Sequence, residues 1–305
     1  MMMKMKKIYL MLSAIAALLM VACDEEYVTY SDAEYVMFAE QQSTNMVLVD
    51  QEYFSVPVAS TVACDYDRTF GVEVIDKGSN AIEGKHYRLL SNSVTIPAGK
   101  LAADVKVAGI YENIEPTDSL GFVLKLVMPE QLKFDLYEDS DQTKVVMYKS
   151  CPFDRNNFTG WCILTSLLLR DYPGDNVSYQ RLIRTEAHPT EDKTVILRSC
   201  FYDGYDVTIT FCPEDPANPL VKMDKDQVIS DEASVFGQIL GDNKILTTHS
   251  NYYPSYFNSC QRFVELWNQV YVENLGQMIG TVGHYYNILE WISDEEAERL
   301  QREGM

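Results

Sequence analysis

SVTIPAGKLAADVKVAGIY, residues 93–111, decides the fold class. Each half alternates apolar and polar residues with a period of two, and Pro97-Ala98-Gly99 separates the halves. That is the strand period, because successive side chains leave a strand on opposite faces. The pattern extends outward in both directions. Upstream lie YVMF (35–38), EYFSVPVAS (52–60) and FGVEVID (70–76). In the second of these Phe54, Val56 and Val58 alternate with Tyr53, Ser55 and Pro57; in the third Phe70, Val72 and Val74 alternate with Gly71, Glu73 and Ile75. Downstream, FVLKLVM (122–128) and TKVVMY (143–148) close the series. Short strands at near-regular spacing, with no amphipathic helix between them, predict a β-sandwich over residues 34–149.

The run from Asn80 to Val127 resembles the Calx-beta family of immunoglobulin-like domains. The matching features are Gly84 and Tyr87 before a turn, IPAG at 96–99, the strand Ala103 to Ile110, and a last strand holding Phe122, Leu124 and Leu126. These are turn and core positions, so the resemblance implies a fold rather than an activity. Some members of that family bind calcium through acidic loops. Here His86 stands where Asp is usual, and the loop YENIEPTDS supplies Glu112, Glu115 and Asp118 separated by apolar residues and proline. Calcium needs six to eight converging oxygens, so the expectation is solvated loop acids, with no metal and no cofactor.

Residues 150–160, SCPFDRNNFTG, break the strand pattern and read as a linker into a second antiparallel β domain over 150–292. Within it, Asp203-Gly204 between apolar runs predicts a two-residue hairpin in VILRSCFYDGYDVTITFC, residues 195–212. Pairing outward sets Tyr202 against Tyr205 and Cys200 against Val207. One face then carries Ile196, Cys200, Tyr202, Tyr205, Val207, Ile209 and Phe211, and Cys200 cannot reach Cys212. VKMDKDQVI, FGQIL and KILTTHS read as further strands around GDN. RFVELWNQVYV and MIGTVGHYYNILEW read as a long hairpin with Gly280 and Gly283 at bulges or bends. The layout suits a half-open barrel or a second sandwich, making the whole chain all-β. It also resembles C-terminal domains of unknown function in outer-membrane lipoproteins of glycan-foraging Gram-negative anaerobes. Ser293 to Glu296 is a capping box opening a short charged helical tail, residues 293–305.

The N-terminus predicts an address. Lys4, Lys6 and Lys7 precede an uncharged apolar run from Ile8 to Ala22, the layout of a secretory signal and too short to span a bilayer. Met20-Val21-Ala22-Cys23 resembles a bacterial lipobox, which implies cleavage after residue 22 and lipidation of Cys23, followed by an acidic tether over 23–33. Loss of the leader removes three lysines and no acid, moving the formal net charge from −20 to −23. Such a surface repels nucleic-acid phosphates and anionic lipid, so attachment falls to the acyl chains. Asp24, Glu25 and Glu26 after that Cys resemble an inner-membrane retention signal in many Gram-negative bacteria, but a surface-export signal in the glycan-foraging group. The expectation is the outer membrane, facing the cell surface.

Six further cysteines, Cys64, Cys151, Cys162, Cys200, Cys212 and Cys260, show no CxxC or Cys/His ligand spacing. They are expected to be mostly free and buried, with room for one pair. There is no GxSxG, HExxH, GxxxxGK[ST] or GxGxxG, and His86, His188, His249 and His284 are scattered. The expectation is a protein without catalysis. NYYPSYFNSC, residues 251–260, is the main aromatic concentration: Tyr252, Tyr253, Tyr256 and Phe257 surround Pro254, and Trp267, Tyr285 and Tyr286 could join them. These rings either cap the core or form a platform for sugar faces, with Asn251 or Asn258 as hydrogen-bonding partners. Binding of a glycan or other extracellular ligand, as an accessory to an outer-membrane uptake complex, is the leading function. A structural or adhesive protein-interaction lipoprotein is the alternative, and a hydrolase using two carboxylates a third.

Overall fold

The computed structural model describes residues 33–134, 139–171, 173–231, 244–274 and 277–305. The leader, Cys23 and its acidic tether, FGQIL and GDN lie outside the described residues. Nine strands form the first domain: β1 (Val36–Phe38), β2 (Gln42–Val47), β3 (Phe54–Ser60), β4 (Arg68–Ile75), β5 (Tyr87–Leu89), β6 (Ser93–Ile96), β7 (Ala102–Gly109), β8 (Leu120–Val127) and β9 (Gln142–Lys149). They build two sheets, ordered β1-β3-β7-β5 and β2-β9-β8-β4-β6. The chain changes sheet between β1 and β2, and β2 then runs parallel to β9 while the other ladders are antiparallel.

The alternation read from residues 93–111 is what fills this sandwich. Val94, Ile96, Val105 and Val107 are buried between the sheets, while Thr95, Asp104 and Lys106 face water. Gly99 takes the left-handed conformation (φ 73°) in the turn between these strands, which favours glycine. Tyr87 and Phe122 stack at 3.8 Å in the core. Burial, ahead of the charges of Glu83 and Asp76, pushes the Tyr87 phenol up to about 12. Arg68 is buried at the head of β4, where Nη1 pairs with Glu34 (2.8 Å) and donates to Ser60 Oγ (2.7 Å), and Nη2 donates to the Lys100 carbonyl (3.1 Å).

The second domain contains β10 (Gly160–Arg170), β11 (Val177–Ala187), β12 (Thr194–Arg198), β13 (Val207–Cys212), β14 (Leu220–Met223), β15 (Gln227–Ser230), β16 (Ile245–His249), β17 (Ser255–Asn258), β18 (Phe263–Asn274) and β19 (Gln277–Trp291). The order β18-β17-β14-β13-β12-β11-β10-β19 returns to β18, closing an eight-stranded barrel. β16 pairs with the other half of β18 and carries β15 beside it. Closure leaves no free edge on those eight strands, which is how a barrel avoids edge-to-edge association. The β18–β19 register shifts at Val270/Tyr271 and at Val272/Glu273, opposite the Gly280–Gly283 segment. A Cβ on Gly283 would sit 2.2 Å from the Leu169 carbonyl oxygen, so β10 and β19 can meet there only at a glycine.

Two expectations are corrected. The 195–212 hairpin pairs Val195 with Ile209 and Leu197 with Val207, three residues away from the register that a two-residue Asp203-Gly204 turn would set. An odd shift reverses one strand, so Val195 and Leu197 face the core and Ile196 does not. The loop is wider because Asp206 accepts the Ser199 amide (2.9 Å) and Arg198 pairs with both Asp206 and Glu186. The 150–160 segment is also no loose linker. Cys151 is disulfide-bonded to Cys260 (Cα–Cα 5.1 Å), and Phe158 is wholly buried against Phe211 (4.5 Å) and Trp291 (5.1 Å). Cys64, Cys162, Cys200 and Cys212 are free thiols, the middle two fully buried. Ser293 caps the C-terminal helix, Asp294–Arg302, accepting the Glu296 amide at 3.2 Å.

Candidate functional site

In the middle of β18 and β19 the usual sense of the alternation breaks at two adjoining rows, although Val264, Leu266, Val270, Tyr285 and Leu289 still face inward. Asn268 and Asn287 point into the barrel and are completely buried, whereas Trp267 and Tyr286 point outward. The buried amides belong to a continuous chain of hydrogen bonds. Ser166 Oγ donates to Asn287 Oδ1 (2.6 Å), and Asn287 Nδ2 donates to Asn268 Oδ1 (2.8 Å) and to the Leu266 carbonyl (3.0 Å). Asn268 Nδ2 donates to Thr247 Oγ1 (2.6 Å), which donates to the Gln269 carbonyl (3.0 Å). Buried amides are tolerated when so paired. Beyond this layer, Phe153, Phe158, Phe211, Phe257 and Trp291 plug one end of the barrel.

Outside, Leu167, Tyr286 and Trp267 lie directly across from one another on β10, β19 and β18. The Trp267 ring is flanked by Tyr253 and Tyr286, each with its centroid 4.5 Å away. The loop carrying Tyr253 is stitched to the Trp267 backbone from both sides. The Ser250 amide donates to the Trp267 carbonyl (3.1 Å), and the Trp267 amide donates to Ser255 Oγ (2.8 Å). Ser250 Oγ then accepts the amides of Tyr252 and Tyr253, both at 3.2 Å, fixing the turn that turns both rings outward. Tyr252 is 76% exposed and Tyr253 51%. The Tyr252 ring meets His284 edge-on at 5.9 Å.

Glu265 lies one row below these rings, between Tyr256 on β17 and Ile288 on β19. Its carboxylate accepts from Trp267 Nε1 at 3.4 Å. Burial first, then the charge and hydrogen bond of Glu265, pushes the Tyr286 phenol up. The row above holds Gln269 and His284 across from each other. The face is therefore a patch of rings bordered by hydrogen-bonding groups and the Glu265 carboxylate.

The structure divides the ring residues singled out in the sequence. Tyr252, Tyr253, Trp267 and Tyr286 come together, and Tyr256 is exposed beside them on β17. Phe257 does not join them. β17 begins at Ser255, so its alternation turns Phe257 inward, where it is 5% exposed and packs on Phe211 at 5.1 Å. Tyr285 also turns inward and stacks on Phe201 at 4.7 Å. Asn258 instead lines a groove of about 780 Å³ between the two domains, with Leu48–Gln51, Tyr148–Phe153, Phe257 and three prolines, Pro213, Pro216 and Pro219. The Cys151–Cys260 disulfide lies in its wall. Sequence reasoning missed Glu265, Gln269 and Leu167, which become neighbours of the rings only once the register is known.

In the sandwich, Asp118 folds back to accept the Glu115 amide at 3.0 Å, and His86 Nδ1 accepts the Ile82 amide at 3.0 Å. Among the described residues, no three His, Cys, Asp or Glu side chains gather as metal ligands, and no helix is long and apolar enough to cross a membrane.

Residues 136–303 match the family described as a domain of unknown function, DUF4984. The chain belongs to this family. The DUF4984 segment takes in β9, the last strand of the sandwich, as well as the whole barrel. No curated protein matches the chain. Among solved structures, the chain is similar to a protein of unknown function from Bacteroides ovatus, with 10% identity, 85% of this chain and 94% of that one covered, and a TM-score of 0.35. It is also similar to an auxiliary nutrient binding protein from Bacteroides thetaiotaomicron, with 14% identity, 83% and 91% covered, and a TM-score of 0.30. The apo-form Calx CBD1 domain matches with 14% identity, 39% of this chain and 99% of that one covered, and a TM-score of 0.31. At these scores the likenesses bear no weight on function.

Proposed function

We propose that this DUF4984 protein is a non-catalytic lipoprotein, anchored by Cys23 to the outer membrane and facing the cell surface, where it binds a glycan on the outer face of its barrel as an accessory to an uptake complex. One observation carries the reading: Trp267 and Tyr286 face outward with Tyr252 and Tyr253 while Asn268 and Asn287 are buried. A sheet folding for stability alone would place the rings inside, where large aromatic areas are most stabilising. Tyr252, Tyr253 and Tyr256 offer accessible rings for the C–H faces of sugars, and Trp267 braces them. The disulfide supports export, because such bonds persist in oxidising compartments.

The interdomain groove favours a second reading, a protein-interaction lipoprotein whose partner docks at the domain junction. Its prolines and aromatic side chains offer apolar surface, and Lys149 is held over the Tyr111 ring at 4.2 Å. A glycan array with the whole lipoprotein in detergent separates the two. The ring-face reading expects glycan binding that drops at least tenfold in a Tyr252→Ala/Tyr253→Ala variant. Glycan binding unaffected by that variant contradicts it, and absence of glycan binding with capture of a protein through the groove favours the second reading.

A further inference from the structure

Glu265 is the acidic group among the rings, with Glu290 one row further along β19, and no partner of opposite charge pairs with Glu265. Glu265 sits among Tyr256, Trp267, Tyr286 and Ile288, and it makes none of the salt bridges found among the described residues. Thr165 lies beyond Ile288 and accepts from Gln180 Nε2 at 3.0 Å, and Gln269 Nε2 donates to Thr281 Oγ1 at 3.1 Å. Arg184 on β11, beside the far end of β10, lies over the Trp161 ring at 4.6 Å and pairs with Asp294 at 3.7 Å. Lys222 on β14 is separated from Glu265 by β17. The whole chain adds a formal charge of −20 to the same sign.

Any ligand lying across Tyr253 and Tyr286 passes beside the Glu265 carboxylate, which Trp267 Nε1 holds in place. A hydroxyl can donate to that carboxylate in a charge-assisted hydrogen bond. A uronate or sulfate has no proton to give, and two like charges a few ångströms apart near a protein surface repel strongly enough to cost on the order of tenfold or more in affinity. From this we propose that Glu265 determines specificity on this face: it accepts uncharged glycans through their hydroxyls and excludes acidic ones. The inference rests on the ring-face reading and deepens it. Glu265 positions nothing for the fold, since its outward carboxylate touches only the rings it serves. Exclusion by charge also has a signature that shape does not share, because salt weakens it.

The test uses the whole lipoprotein in detergent and titrates maltohexaose, mannohexaose and cellohexaose, each beside its C6-oxidised uronate form. Wild type is expected to bind a neutral oligosaccharide at least about tenfold more tightly than its oxidised form in low salt, with the gap narrowing as salt rises. Glu265→Gln keeps an oxygen for Trp267 Nε1 and removes the charge, so it should bring the oxidised form within about threefold of the neutral one. Equal binding of both forms by wild type, or discrimination that survives Glu265→Gln, overturns the role of Glu265 and leaves the ring face standing. Binding of neither form by wild type overturns the ring-face reading itself.

Discussion

In β7 of the sandwich Val105 and Val107 are buried and Asp104 and Lys106 are exposed; in β18 of the barrel Asn268 is buried and Trp267 faces outward. The sandwich follows the ordinary rule in which burial of apolar area supplies the driving force. The barrel retains that rule at its aromatic plug and departs from it in the middle of β18 and β19. The departure has two halves that must be explained together. Inside, the amides are tolerated because each finds partners from Ser166 to Thr247. Outside, the rings forfeit burial they could have had, and the loop at Ser250 holds them in place. The lesson is that a sequence can specify a fold by one set of positions and a surface by the intervening ones, with period two serving both.

The comparison can be broken by exchanging the rules. Val107→Asn puts an amide into the dry sandwich, where no partner awaits it, and should cost about 4 kcal/mol of that domain's stability. Next in size, Cys151→Ser removes the only disulfide among the described residues, which spans 109 positions, and should destabilise the barrel by about 3 kcal/mol while leaving the sandwich's first strands unaffected. Smaller still, Asn287→Leu should cost the barrel about 2 kcal/mol despite adding apolar surface, because Ser166 and Asn268 lose their partner. Hydrogen exchange read domain by domain in rising denaturant checks all three. A neutral Val107→Asn, or an Asn287→Leu that stabilises, would remove the contrast.

The all-β class, the sandwich strands and the helix cap were legible because each is local. Val94, Ile96, Val105 and Val107 alternate in plain sight, and Ser293 precedes Glu296 by the capping interval. The 195–212 register was not legible: Asp203-Gly204 does form its tight turn, the Tyr205 amide donating to the Tyr202 carbonyl at 3.2 Å, but Asp206 and Arg198, through Ser199 and Glu186, widen the loop between that turn and the ladder. The loop position of Tyr252 and Tyr253 was readable from the proline and asparagines around them, but whether their rings cap the core or face outward was not. Phe257 misled because only the start of β17 tells which of Tyr256 and Phe257 turns inward. Adjacent Tyr285 and Tyr286 must face opposite ways in a strand, yet nothing local says which faces out. The pairing of Cys151 with Cys260 required three-dimensional proximity and could not come from spacing.

The central claim is that the outward rings bind rather than support the fold. The chain has three tryptophans, and only Trp267 stands among these rings. The most direct measurement is tryptophan emission during titration of the whole protein with a neutral oligosaccharide, in wild type and in Trp267→Phe, alongside binding by calorimetry. The account predicts a saturable change in wild-type emission that disappears in Trp267→Phe while calorimetric binding persists. An unchanged emission in wild type at saturating ligand, or the same change in Trp267→Phe, would contradict it.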